Sequence, residues 1–343
     1  MSEHDAICRV QEAVVPQLLA QPGVTGVGVG LREKGGQPTD EIVIRVYVAR
    51  KRTASEVPAA ELIPSEIGGF ATDVIEKGPD EHCGFFDDYR QRPIGSGLAI
   101  ERYKSNLTTE RGTIGCFVAR RLTETERNGL RTQPGSGIIR RVFLLSASHV
   151  LNLPDALDRV VHQPHAIDRV AATDPSLGVY AGAVDAGLAP LDDGTDWMNT
   201  IVNIGPIAGV RRVRFYENVY KWGTTTGLTG GKANDINYCG NFPATGATFG
   251  PGFAVRHNLL REPPFGMQGD SGSLVYAFDE APNGVKMIMA VGLLVFVTAD
   301  YTIMCHLDTV LDTLNVELVE LAGPFAKGLI CTVATPDGRI VSV

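Results

Sequence analysis

The chain has 343 residues, 44% of them hydrophobic and 20% charged, with 31 Lys plus Arg against 39 Asp plus Glu for a net charge of −8. Length and apolarity suffice for a full core and about two folded units at roughly 150 residues each, which excludes disorder, collagen and coiled coil. The acidic balance argues against a nucleic-acid partner, whose backbone demands a basic footprint, while 39 glycines and 7% aromatics point to a turn-rich, mainly β body.

Along the chain, Ile7, Val10, Val14 and Leu18 share one face of a helix predicted over 6–20, with Pro22-Gly23 as its stop. Strands are predicted at 24–31 and 42–48, a helix at 54–62 and a strand at 71–75, which together make a small N-terminal α+β domain over residues 1–90. Its role stays open between inhibition and targeting. Gly26-Val-Gly-Val-Gly30 is no dinucleotide fingerprint, because the third glycine is misplaced and no helix opens after it. Residues 79–97 lack any period and read as a linker. Short apolar strands punctuated by turn residues follow at 115–119, 142–145, 179–188, 219–222, 273–278 and 288–296, the pattern of an all-β barrel or sandwich. Leu307, Val310, Leu311 and Leu314 give a closing helix over 303–314 its period. Pro336-Asp-Gly338 then sets a hairpin in a C-terminal extension over 323–343.

The opening stretch Met1 to Arg9 carries acids and no basic region ahead of an apolar segment, so no secretory signal is expected. The apolar run Met287 to Val297 is short of the roughly 18 residues that cross a bilayer, so no membrane partner is expected. Six cysteines without a CxxC pair read as reduced thiols of a cytoplasmic protein, and neither a disulfide frame nor a zinc site is expected. His162 and His165 bracket Pro164 and read as loop residues. No cofactor or metal is expected, and the oligomeric state stays open.

Gly269-Asp-Ser-Gly-Ser273 carries the chemistry. A serine between glycines sits on a tight turn, since glycine takes positive φ without steric cost. Such a turn exposes the hydroxyl and aims successive N–H groups at one point, which acyl transfer requires. A hydroxyl is a weak nucleophile and needs a base. His149, one of seven histidines, closes the apolar stretch Val142 to Val150. A histidine base in turn needs an acid to fix its tautomer. Asp185 stands in the apolar Val184 to Ala189, where a carboxylate is costly to bury alone; Asp192, Asp193 and Asp196 downstream read better as solvated turn residues. The order His, Asp, Ser excludes α/β-hydrolases (Ser, Asp, His) and subtilisin-like enzymes (Asp, His, Ser) and agrees with chymotrypsin-like ones.

Five short boxes carry a resemblance. Leu145-Ser-Ala-Ser-His149, Val184-Asp-Ala-Gly-Leu-Ala189 and Gly269-Asp-Ser-Gly272 resemble the three catalytic boxes of the trypsin/chymotrypsin-like serine peptidases. Arg111-Gly-Thr-Ile-Gly-Cys-Phe-Val118 and Lys221-Trp-Gly-Thr-Thr-Thr-Gly-Leu-Thr-Gly230 are similar to structural boxes of the bacterial trypsin-like and plant narrow-leaf-type members. The resemblance implies a chymotrypsin-like double β-barrel over 95–322, with the triad in the cleft between barrels. It implies Ser271 as nucleophile, His149 as base and Asp185 as its orienter, with the N–H groups of Gly269 and Ser271 as oxyanion donors. The substrate would be a protein or peptide. Gly292 is expected to help form the edge that pairs with it. Phe265, six residues before Ser271, stands where trypsin has an acid, which implies a small or apolar preference. The resemblance also implies a buried cation for Asp270, and the sequence singles out none. A protease-fold scaffold that binds peptides without cleaving them is the competing reading.

Overall fold

The structure, a computed structural model, describes residues 3–35, 37–53, 55–76, 90–105, 108–133, 136–152, 156, 158–164, 168–181, 184–241, 248–257, 264–319, 329–334 and 340–342. It is mainly β. Helix α1 (Glu3–Leu19) leads into β1 (Val24–Lys34) and β2 (Gln37–Val48), then β3 (Glu66–Ile67) and β4 (Phe70–Glu76). Next come β5 (Ile94–Ser96), β6 (Ala99–Ser105), β7 (Thr108–Thr113), β8 (Cys116–Arg120), α2 (Glu124–Thr132) and β9 (Ile138–Ser146). The short α3 (Ser148–Leu151) precedes β10 (Val160–His162), β11 (Arg169–Ala172), β12 (Gly178–Ala181) and β13 (Val184–Pro190). Strands β14 (Trp197–Ile201), β15 (Gly205–Val210), β16 (Asn218–Gly223), β17 (Gly227–Asn241) and β18 (Thr248–Arg256) follow. The chain continues through β19 (Leu274–Glu280), β20 (Lys286–Val297), β21 (Tyr301–His306), α4 (Leu307–Thr313), β22 (Val316–Leu318), β23 (Leu329–Ala334) and β24 (Ile340–Ser342).

Six strands pair in a circuit that returns to its start: β16 with β17, β17 with β18, β18 with β21, β21 with β20, β20 with β19, and β19 with β16, all antiparallel. Val219, Ala233, Phe253, Val275, Val291 and Met304, one from each strand, form a single buried cluster. Strands β8, β9, β12 and β13 belong to a second sheet, and β6, β7, β10 and β11 to a third. Ile100, Phe117, Leu144, Val161, Val170 and Ala189 from these two sheets make another core. A further cluster joins Leu145 and Ala186 to Leu274, Leu293 and Cys305, so the second sheet is packed against the circuit. That junction positions the site.

The N-terminal elements continue the sheet of the body. β1 pairs antiparallel with the far half of β17, Gly26 opposite Gly240 and Gly30 opposite Asp235. Helix α1 is clamped over the seam by a reciprocal amide pair, Gln11 Nε2 donating to the Asn237 carbonyl at 2.9 Å and Asn237 Nδ2 to Gln11 Oε1 at 2.9 Å. Beneath it Arg45 Nε lies 3.4 Å from Asp235 Oδ1, and Arg45 Nη2 lies 3.0 Å from Glu33 Oε1.

Several expectations need correction. In place of a helix over 54–62 there is one 3-10 turn, Ala59–Glu61, entered from extended Pro58 (φ −53°, ψ 141°); proline pushes its predecessor away from the helical region. The segment 79–97 is not all linker: Ile94 is buried and β5 pairs with β14, while 77–89 lie outside the described residues. The stretch 179–188 is two antiparallel strands, β12 and β13, with Val179 opposite Ala186. Residues 303–306 of the stretch 303–314 are the end of a fully buried strand paired on both sides by β18 and β20, and the helix starts at Leu307. Pro336 to Gly338 lies outside the described residues, as does His165. Cys8, Cys116, Cys239 and Cys305 are free thiols. Among the described residues no helix is long and apolar enough to cross a membrane.

Candidate active site

His149 stands in the one-turn helix α3, directly after β9. Asp185 is the second residue of β13, which pairs with β9 two to three residues before that turn, Gly187 opposite Ser146. Strand pairing therefore brings the two side chains together. The His149 backbone N–H donates to Asp185 Oδ1 at 3.1 Å, and the ring Nδ1 lies 2.5 Å from Oδ2. A carboxylate only accepts, so Nδ1 carries the proton and Nε2 keeps its lone pair. Asp185 is fully buried and the His149 side chain is 15% exposed. Burial pushes the imidazole pKa down, but the charge and hydrogen bond of Asp185 outweigh it and hold the group above its ordinary value. The Phe296 ring stacks parallel to the imidazole at 6.3 Å, and Tyr180 meets it edge-on at 6.5 Å.

Ser271 lies on the turn that opens β19. Gly269 (φ +85°) and Gly272 (φ +89°) take left-handed backbone on either side of it, which only glycine adopts readily. A Cβ at Gly272 would collide with Ser146 Oγ and the Thr113 carbonyl, so the turn presses directly on the end of β9. A Cβ at Gly112 would lie 2.6 Å from Val150 Cγ1 and 3.0 Å from the Ser271 carbonyl. The serine turn and the histidine turn thus share one wall. The Thr113 N–H donates to the Ser271 carbonyl at 2.8 Å, and Thr113 Oγ1 to the Gly269 carbonyl at 2.8 Å. Among the described residues the N–H groups of Gly269 and Ser271 donate to no acceptor. Two unpartnered donors beside a hydroxyl match what a developing oxyanion needs.

Asp270 has the cation that sequence reading left unidentified. Lys221 Nζ lies 3.0 Å from Asp270 Oδ2, with both side chains 0% exposed. The carboxylate also accepts from the Thr225 N–H at 2.8 Å, Thr226 Oγ1 at 2.7 Å and the Met267 N–H at 3.0 Å. Burial pushes the Lys221 pKa down, and Asp270 pulls against it. A signal was present: Lys221 opens the Lys-Trp-Gly-Thr-Thr-Thr-Gly box, whose threonines supply two of those donors.

The remaining sequence candidates fall elsewhere. Phe265 is 3% exposed and belongs to the cluster inside the strand circuit, where its ring packs against Gly231. Gly292 is not at an edge, because β19 (through Val275) and β21 (through His306) pair with it on both sides. A Cβ there would meet the Phe253 ring. The open edge starts further along β20. Leu294 exchanges backbone bonds with Gly272 and Ser273, and beyond it Val295–Val297 have β21 on one side and no strand on the other among the described residues.

No family model matches the chain, and no curated protein matches it. Among solved structures, a glutamic acid-specific serine protease described as using a histidine triad in substrate binding is 16% identical, with TM-score 0.43 over 66% of this chain and 100% of its own. A Nocardiopsis protease is 16% identical, with TM-score 0.44 over 66% and 98%. A Cellulomonas bogoriensis chymotrypsin is 15% identical, with TM-score 0.40 over 66% and 99%. All three are chymotrypsin-like serine proteases. Likeness at this level carries no residue role to this chain.

Proposed function

We propose that the chain is a serine endopeptidase that hydrolyses peptide bonds through an acyl-enzyme. In this reading the strand circuit is one barrel of a chymotrypsin-like pair and the sheets around β9 form the other, within a peptidase domain over 95–322. Residues 1–90 form an N-terminal domain and 323–343 an extension whose β23 lines the start of β9. The observation that carries the reading is the buried Asp185–His149 pair set against a turn that offers Ser271 and two unpartnered N–H groups.

The chemistry follows from those groups. His149 Nε2 takes the Ser271 proton as Oγ bonds to the scissile carbonyl carbon. Asp185, buried beside the ring, stabilises the imidazolium and keeps Nδ1–H pointed inward. The Gly269 and Ser271 N–H groups receive the oxyanion. Collapse breaks the C–N bond, and the leaving amine collects the proton from Nε2. Water then repeats the sequence on the ester, returning the proton to Ser271. The free edge at Val295–Val297, beside the nucleophile turn, suits antiparallel pairing with an extended peptide.

A fluorophosphonate probe tests the assignment. Wild type should be labelled at Ser271, and Ser271→Ala should not react; equal labelling of the two would falsify it. A folded wild type that takes no label at all favours the scaffold reading instead. Profiling of labelled, active protein against a peptide library would then define the residue preference.

A further inference from the structure

Arg102 is an oddity of the interior. It lies on β6, in the sheet packed against the one whose β9 leads into α3 and His149, and is only 2% exposed. Among the described residues no carboxylate comes within ion-pair distance of it. A buried charge without a counter-ion is costly unless fixed dipoles replace its water. Here carbonyl and hydroxyl oxygens do so for the two terminal nitrogens, while the buried Nε has no acceptor among the described residues. Nη1 donates to the Leu151 carbonyl at 2.8 Å and to Thr173 Oγ1, and Nη2 donates to the Asp158 carbonyl. Burial pushes its pKa below the usual arginine value, with the nearby Asp158 charge acting the other way.

The acceptors reveal what the guanidinium holds. Leu151 is the last residue of α3, two positions after His149, and its carbonyl is one that a helix end leaves without an internal partner. The Asp158 and Thr173 acceptors flank β10 and β11. At its other end α3 is fixed by the His149 N–H bond to Asp185. The turn that carries the imidazole is thus tethered at its start by a buried anion and at its end by a buried cation. No covalent link does this job, since Cys116, the nearest cysteine in sequence among the described thiols, is free.

We propose that Arg102 is a positioning residue for the base: its guanidinium fixes the C-terminal end of α3 and so holds His149 in register with Asp185 and Ser271. The proposal rests on the peptidase reading for its kinetic consequence, but the tether itself does not.

The test uses the full chain with Arg102→Lys, which keeps the charge and loses the planar fork, and Thr173→Val, which removes one acceptor. Fluorophosphonate labelling rates are measured across pH per folded molecule, and the His149 imidazole is titrated by NMR. Arg102→Lys should label roughly 10- to 100-fold more slowly, the penalty of a small misplacement of a catalytic group. Its His149 titration should move down as the Asp185 contact loosens, and Thr173→Val should show a smaller change of the same kind. Wild-type rate and titration in folded variants overturn the proposal. So does a loss of labelling that only tracks the folded fraction. If Arg102→Lys does not fold, Thr173→Val decides. Failure of wild type to label defeats the peptidase reading alone, and the NMR titration still reads the tether.

Discussion

Lys221→Met isolates the contribution of the buried pair beneath the nucleophile turn. The substitution is close in length and apolar, so the main change is the loss of the ammonium 3.0 Å from Asp270. Removing one partner of a buried pair costs about 3–5 kcal/mol because the other charge is stranded. Asp270 keeps four donors, the Thr225, Thr226 and Met267 N–H groups and the Thr226 hydroxyl. Those place the expectation near the lower end, about 3 kcal/mol, a large share of a stability on the order of 5–15 kcal/mol. Asp270 sits between the two candidate oxyanion donors, so a turn released from its cation should also lose their aim. Loss of one such donor slows acyl transfer by about 10²–10³, and the labelling rate should fall by a similar factor. Adding Asp270→Asn removes the stranded charge. The double variant should recover most of the stability without recovering the rate. Urea unfolding followed by circular dichroism reads the first quantity and fluorophosphonate kinetics the second. A Lys221→Met variant within about 0.5 kcal/mol of wild type, labelling normally, would refute the reasoning.

Asp185→Asn should leave the fold intact and slow labelling by about 10⁴, since an amide no longer fixes the tautomer that leaves Nε2 free. The wild-type rate should rise with pH through a value above the ordinary histidine pKa, because only neutral imidazole acts as base and Asp185 holds its pKa up; Asp185→Asn should move that limb to lower pH, and a rate profile that does not move contradicts the pairing. Gly272→Ala forces a side chain into left-handed backbone, costing about 1–2 kcal/mol before its collision with Ser146 and Thr113, so a urea midpoint equal to wild type would count against the described turn. Burial pushes Asp235 from 3.8 up to about 7 against the pull of Arg45. The folded state therefore binds that proton more tightly than the unfolded chain, so the stability it adds is full below about 4 and lost as pH rises to about 7. Asp235→Asn should flatten this slope in urea unfolding across that window, and an unaltered slope would rule the assignment out.

The serine and histidine turns were legible because local residue type dictates them: glycines at 269 and 272 for left-handed backbone, and an apolar strand ending in small residues before His149. Helix α1 was legible from its apolar period, and β1 and β2 from β-branched runs separated by turn residues. What escaped was set by distant partners. Gly292 looks like a permissive edge glycine, yet its missing side chain makes room for the Phe253 ring inside a strand paired on both sides. The box that Lys221 opens marks the residue but not its partner, a carboxylate 49 residues away (270 − 221). Ile303 to His306 reads as the head of a helix until β18 and β20 claim its hydrogen bonds. Helix α2 was overlooked although Thr123 and Glu126 form a capping box, a signal contained within four residues.

The seam between β1 and β17 sets a constraint on biosynthesis. Gly26 pairs with Gly240, 214 residues later (240 − 26). At translation speeds of about 5–20 residues per second, that partner emerges some 10–40 s after the first strand. Through that interval Val27 and Val29 have α1 and β2 to cover them, while the backbone edge destined for β17 waits unpaired. Nascent chains stalled before residue 235 should therefore be the ones that chaperones hold.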